Sequence, residues 1–233
     1  VKAGAIVSAT GWKPYDASKV DTLGFDSSPD VITNVIMERI SANNGPTKGK
    51  ITRPSDGKEA KRVVFVQCSG SRDRLHLPFC SSICCLASLK QAGYVRSQYE
   101  DAEITMFYID VRAPGKLEDF FTKSAEEHKI NLVKGKVAKV TAEPSGEITV
   151  EAEDILGGGK MRVTADLVVL ATGMEPADKV PGVSYDDNVF AVPGAGPAQA
   201  LAAGCAKKPV DVAGATQDAT GVALKAVQAM VRS

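Results

Sequence analysis

Residues 166–176, DLVVLATGMEP, read as a buried strand followed by Ala-Thr-Gly, a bulky residue, a polar residue and proline. Residues 5–14, AIVSATGWKP, repeat that order. Thr-Gly after a buried strand permits a tight turn and close approach of backbone to a ligand at the carboxyl end of a parallel sheet, where open α/β sheets bind cofactors. One copy is a common strand exit, whereas two copies frame whatever lies between them. The strand over Ala5–Ala9 has only four residues ahead of it, so residues 1–14 read as the end of a domain whose earlier part is absent, and the chain as a fragment or a processed piece.

The enclosed sequence alternates strands and helices. Arg62–Gln67 reads as a strand, Ser81–Gly93 as a helix stopped by Gly93, and Glu103–Val111 as a second strand. Lys116–Lys129 places Leu117, Phe120, Phe121 and Ala125 at core spacing for a helix, with strand material following at Asn131–Thr141. EITVEAEDI and MRVTADLVVL flank Gly157-Gly158-Gly159, which suggests a hairpin. This is a Rossmann-like order in an α/β chain. Residues 15–61 are less regular, with a helix expected over Asp30–Ala42 and a polar loop over Gly45–Lys61.

Beyond the second Ala-Thr-Gly come a strand at Asn188–Val192, a Gly/Pro/Ala-rich connection and a final helix entered through Thr216-Gln217-Asp218. Thr216 or Asp218 is the expected cap, and a helix N-terminus carries partial positive charge suited to an anion or an electron-rich ring edge. Gly194-Ala195-Gly196 mimics the start of a dinucleotide fingerprint but lacks its third glycine.

Composition narrows the function classes. The 233 residues are 44% hydrophobic and 24% charged, as a folding globular chain requires. Lys+Arg and Asp+Glu both number 28, leaving no basic stripe for nucleic acid and no polybasic run for an anionic membrane. No apolar run approaches the roughly 18–20 residues of a transmembrane helix, and VKAGAIVSATGW lacks signal-peptide features. A soluble, cytoplasmic chain without direct membrane insertion is expected.

Four of the five cysteines fall in QCSGSRDRLHLPFCSSICC, residues 67–85, where a nucleotide-binding protein carries its glycine fingerprint. An odd, crowded set suits a metal or redox site better than a disulfide framework. Cys68, Cys80, Cys84 and Cys85 have neither the paired C-x-x-C knuckles of structural zinc nor a bacterial ferredoxin spacing, though four thiolates are the usual count for a [4Fe–4S] cluster. Cys80 and Cys84 are one helical turn apart, and Cys85 lies about 100° further round an ideal helix, so an irregular helix start is needed to bring it in. Ser81 and Ser82 are expected caps beside a helix N-terminus that favours thiolates. Zinc and redox-active or buried thiols stay open as alternatives. Cys205, His76 and His128 stand apart; Arg72 and Arg74 could screen a charged group, and Asp110, where a ribose-binding acid would be, reads as structural.

The paired Ala-Thr-Gly ends, the inserted unit and the closing strand and helix resemble the two-dinucleotide-binding-domain flavoproteins, the thioredoxin reductase class. Gln67-Cys68-Ser-Gly-Ser-Arg72 followed by Cys80-Ser-Ser-Ile-Cys84-Cys85 is similar to the A subunit of heterodisulfide reductase. Cys205-Ala-Lys-Lys-Pro209 and Thr216-Gln-Asp-Ala-Thr-Gly-Val-Ala resemble its shorter relatives, the A subunits of the quinone-interacting membrane-bound oxidoreductase of sulfate reducers. The resemblance implies that residues 1–14 and 176–233 are the remainder of an FAD domain whose N-terminal part is missing. Residues 15–61 would connect it to an inserted NAD(P)-domain-like unit over 62–175.

It further implies FAD near Thr10, Gly11, Thr172, Gly173, Thr216, Gln217 and Asp218, and a [4Fe–4S] cluster on the four clustered cysteines in place of NADPH. The implied role is electron relay within a membrane-associated complex containing B and C subunits, with adenylylsulfate reductase as a further partner and the chain peripheral to the membrane. An NAD(P)H-dependent thiol–disulfide oxidoreductase using Cys84 or Cys85, and a zinc-stapled interaction module, are the alternatives.

Overall fold

The computed structural model describes residues 3–194 and 200–232. In chain order the first elements are β1 (Val7–Ser8), β2 (Trp12–Pro14), β3 (Val31–Thr33), α1 (Asn34–Ser41) and β4 (Arg62–Ser69). There follow α2 (Cys84–Gln98), β5 (Glu103–Tyr108), α3 (Leu117–Glu127), β6 (Ile130–Lys134), β7 (Val137–Ala142), β8 (Ile148–Asp154) and β9 (Gly159–Ala165). The last are β10 (Leu167–Thr172), β11 (Met174–Pro176), β12 (Leu201–Ala202) and α4 (Val212–Arg232). The chain divides into two units, residues 1–15, 73–82 and 174–233 in one and residues 16–72 and 83–173 in the other.

In the larger unit every residue of β10 is buried, and the strand pairs in parallel with β3 on one side and β4 on the other. A parallel strand covered on both faces reads as an unbroken apolar run, which is why LVVLA does not alternate. β5 and β6 extend the sheet from β4, giving the parallel order β3-β10-β4-β5-β6. On one face Val63, Phe65, Ile104 and Val169 pack with Met37 and Ile40 of α1 and Leu89, Ala92 and Val95 of α2. On the other, Val64, Val66, Val168 and Leu170 pack with Val140, Val150 and Ala165 of the antiparallel sheet β7-β8-β9.

Several boundaries differ from the sequence expectation, each for a local reason. The run MRVTADLVVL belongs to two strands, because Asp166 turns the chain from the antiparallel sheet into the parallel one. Its carboxylate accepts from the Lys61 and Arg62 backbone N–H groups at 3.1 and 2.8 Å and from the Arg62 guanidinium at 2.6 and 3.0 Å. The expected helix over 30–42 begins as β3, whose Val-Ile-Thr run pairs with β10, and becomes α1 only after Thr33, whose hydroxyl caps Ile36 N–H at 3.2 Å.

α2 starts later than expected and passes through Gly93. A Cβ there would lie 2.7 Å from His128 Nε2, so the glycine permits close packing rather than ending the helix. In α3 the buried residue is Ser124, and Phe120 is exposed. The strand material at 131–141 resolves into β6 and β7.

In the smaller unit β1, shorter than the expected Ala5–Ala9, pairs in parallel with β12. The tripeptides that follow the two Ala-Thr-Gly sequences are each other's partners. β2 and β11 pair antiparallel, Lys13 opposite Glu175, with their side chains 3.6 Å apart. Residues 188–192 form no strand, only a bridge between Tyr185 and Ala191. Within Gly194-Ala195-Gly196, the last two residues lie outside the described residues.

α4 begins at Val212 because Asp211, after Pro209-Val210, accepts from Gly214 N–H at 2.7 Å. Thr216 and Asp218 are therefore inside the helix and do not cap it. Among the described residues no helix is long and apolar enough to cross a membrane.

Candidate functional site

Cys68 closes the central strand β4 with a left-handed backbone, φ +57°, and its carbonyl accepts from Ser71 N–H at 3.2 Å across Gly70, φ +77°. Left-handed conformation is uncommon outside glycine, yet Arg72 adopts it as well. Arg72 donates to Asp110 Oδ1 at 2.7 Å, and Arg112 donates to the same oxygen at 3.1 Å. Burial acts to raise the Asp110 pKa, but the hydrogen bonds from Arg72 and Arg112 outweigh it and hold the carboxyl below its ordinary 3.8. Asp110 thus ties the turn after Cys68 to the segment following β5.

Ile83 occupies the N-cap position of α2 in a helical conformation and supplies no side-chain cap. The expected caps sit too early: Ser82 is left-handed, φ +66°, and the Ser81 hydroxyl accepts from Met174 N–H at 2.8 Å. Cys80 also precedes the helix, its sulfur accepting from Ser82 N–H at 3.4 Å, so no helical turn relates it to Cys84.

Cys84 and Cys85 are the first two residues of regular helix and so diverge by about 100°. The Cys84 thiol donates to the Thr172 carbonyl at 3.5 Å, at the end of β10, and the buried Cys85 thiol to the Asp110 carbonyl at 3.8 Å, beyond the end of β5. With Cys68 at the end of β4, the three thiols of this unit stand over the carboxyl ends of adjacent parallel strands. All five cysteines are thiols, and among the described residues no three His, Cys, Asp or Glu side chains gather as a metal-binding group. In donor type the thiols suit an iron–sulfur group, and the start of a 15-residue helix favours thiolate beside it.

The expected FAD residues have unequal surroundings. Thr10 is exposed and Gly11, φ +76°, faces open space, so the first Ala-Thr-Gly turn is accessible. Thr172 and Gly173 are buried, and the Thr172 hydroxyl donates to Asn34 Oδ1 at 3.1 Å. Thr216 back-bonds to the Val212 carbonyl at 2.9 Å, Gln217 is exposed, and Asp218 accepts from Gly204 N–H at 2.8 Å and pairs with Lys207. His76 receives or donates a 2.9 Å hydrogen bond with the Tyr15 hydroxyl.

Sequence reading missed a buried polar group between the sheet and its helices. Gln91 Nε2 donates to the Asn34 carbonyl and to Glu38, both at 2.9 Å. Neither amide atom of Gln67, nor Ser88 Oγ, nor Gln91 Oε1 bonds another protein group, although all three residues are buried. The available signal was a glutamine ending the otherwise apolar RVVFV strand.

A parallel sheet with cysteines at its central strand-to-helix turn, entered and left through paired β2 and β11, defines a two-dinucleotide-binding-domain α/β protein. Thioredoxin reductases share that fold: the T. acidophilum enzyme matches with TM-score 0.57 and 14% identity over 97% of this chain and 64% of its own. The L. lactis enzyme matches with the same TM-score at 13% identity, over 98% of this chain and 67% of its own.

By sequence the chain belongs to the family of heterodisulfide reductase A subunits. It is 35% identical over its full length to the A subunit of the H(2):CoB-CoM heterodisulfide,ferredoxin reductase of Methanothermobacter marburgensis, of which it spans 38%. It is 39% identical to the second iron-sulfur A subunit of the CoB-CoM heterodisulfide reductase of Methanopyrus kandleri, over 76% of this chain and 27% of the relative. A protein of Archaeoglobus profundus that is itself described as like the heterodisulfide reductase A subunits is also 39% identical, over 75% of this chain and 28% of the relative. No family model matches.

Proposed function

We propose that the chain is part of an electron-transfer oxidoreductase component in a heterodisulfide-reductase-like complex, holding a [4Fe–4S] cluster on Cys68, Cys80, Cys84 and Cys85. The observation that carries this reading is that Cys84, Cys68 and Cys85 stand over the carboxyl ends of the adjacent strands β10, β4 and β5, at the start of α2. The cluster supplies one-electron transfer when bound. Cys68, Cys84 and Cys85 supply thiolates from rigid elements, while Arg72 and Asp110 hold the loop that follows Cys68.

FAD is proposed beside the open Thr10-Gly11 turn and the exposed Gln217. Thr172 and Asp218 contribute by fixing backbone, since their polar atoms are already engaged. The finer placement, in a quinone-linked complex of dissimilatory sulfate reduction with B and C subunits, adenylylsulfate reductase as partner and peripheral attachment to a cytoplasmic membrane face, rests on the resemblance of residues 205–209 and 216–223. Metal and acid-labile sulfide analysis of the anaerobically purified chain tests the central claim. About four irons and four sulfides per chain with broad visible absorbance are expected. Stoichiometric zinc without sulfide overturns it and favours the interaction module.

A further inference from the structure

We propose that Gln67 is a positioning residue that donates a hydrogen bond to the sulfur environment at Cys84 and thereby sets the reduction potential of the cluster. This rests on the iron–sulfur reading above. Strand alternation puts Gln67 on the face of β4 shared by Val63 and Phe65, the face covered by α2. It is the last residue of that face before Cys68, and it is 5% exposed. Neither its amide nitrogen nor its amide oxygen bonds a protein group.

A second orphan lies along the helix. Cys84, Ser88 and Gln91 follow the i, i+4, i+7 stripe of α2, and the stripe leans toward β10 and α1, where Cys84 meets the Thr172 carbonyl and Gln91 the Asn34 carbonyl. Ser88 is fully buried and its hydroxyl is also without a protein partner. A buried polar group left unsatisfied is costly, so two such side chains between β4 and α2 point to an acceptor for their donors.

Thiolate and sulfide sulfurs are acceptors that match an amide N–H and a hydroxyl. One-electron reduction breaks no bond and adds one negative charge to the cluster. A donor aimed at its sulfurs stabilises the reduced state more than the oxidised one and raises the potential.

The test is a dithionite redox titration of the anaerobically purified full chain, followed through the reduced-state paramagnetic signal, with iron and sulfide measured in parallel. Gln67→Met, nearly equal in volume, is expected to keep iron and sulfide and to shift the midpoint to more negative potential. Gln67→Glu, which replaces donor by acceptor, should shift it further the same way. Gln67→Met with full iron and an unmoved midpoint overturns the inference and leaves the cluster standing. Loss of iron and a lowered melting temperature in both variants also overturns it, assigning Gln67 to the fold. A wild-type chain without iron overturns the cluster reading itself, and this inference with it.

Discussion

α2 and α4 enter their helices in opposite ways. At α4, Asp211 caps the Gly214 N–H, and Asp218 in the second turn anchors Gly204 and Lys207, so the helix start is closed by its own side chains. At α2 the N-cap residue is Ile83, whose side chain makes no cap, and Cys84 and Cys85 are the first two residues of the helix. A helix start capped by its own side chain is fixed by the fold, whereas one whose first two residues are cysteines sets its partial positive charge beside their thiols.

The largest effect that could break this contrast is the loss of iron. Cys84→Ala is expected to remove most of the iron and the reduced-state signal from the anaerobically purified chain. Cys205→Ala, whose thiol lies 3.5 Å from the Val210 carbonyl ahead of α4, should leave both unchanged. Equal iron loss in the two variants would show that the ligand set reaches the α4 entry and would erase the distinction.

Asp218 sharpens the structural half. Its hydrogen bond from Lys207, with Gly204 N–H adding to it, lowers its pKa below the ordinary 3.8. A carboxylate depressed in the folded state contributes stability that is present above the unfolded value and is lost as pH falls through the folded one. Asp218→Asn should therefore lower the melting temperature at pH 7, by the equivalent of about 1–2 kcal/mol. The gap to wild type should narrow on acidification below about pH 4. A gap that stays constant across that range would mean the carboxylate's charge is irrelevant to the turn.

How much of this could be read from sequence follows from particular residues. LVVLATG reads as a buried strand because burial on both faces leaves an unbroken apolar run, and the α/β order follows from the strands and helices that alternate between it and its repeat at 5–14. Asp166 hid the division of MRVTADLVVL, since its role depends on Lys61 and Arg62, more than a hundred positions away. The cysteine run located a strand-to-helix turn, but the helix start moved from Ser81 to Cys84 because Ser82 is left-handed, which no local propensity announces. Thr216 looked like a cap because Thr-Gln-Asp is a common helix entry, yet Asp211 reached the first turn earlier. Gln67 was visible as a residue and invisible as an orphan, because satisfaction is a property of packing.

Removing the α4 cap gives a smaller effect than the preceding two. Asp211→Ala should cost about 1 kcal/mol, read by chemical denaturation, with Asp211→Ser recovering most of it. No loss at all would mean the first turn of α4 needs no cap, and the contrast with α2 would no longer distinguish a structural start from a functional one.

The smallest expected effect is at the entry of α2, where a capping residue can be supplied. Ser, Asn or Asp at an N-cap normally adds about 1 kcal/mol by accepting from the N2 or N3 N–H, but the cap residue needs an extended backbone to present its oxygen. Ile83 has φ −106° and ψ −21°, in the helical region, so a serine oxygen there does not reach the first turn. Ile83→Ser should thus gain no cap and lose a little packing, since the side chain is half-buried, changing the stability of the iron-free chain by only a few tenths of a kcal/mol. Thr33, extended at φ −88° and ψ 161° ahead of α1, is the internal control, and Thr33→Ala should cost about 1 kcal/mol. A stabilisation above about 1 kcal/mol in Ile83→Ser would require the backbone before Cys84 to rearrange into an ordinary capped start. The geometry that sets the two thiols apart would then be a product of the missing cap rather than a cause of it.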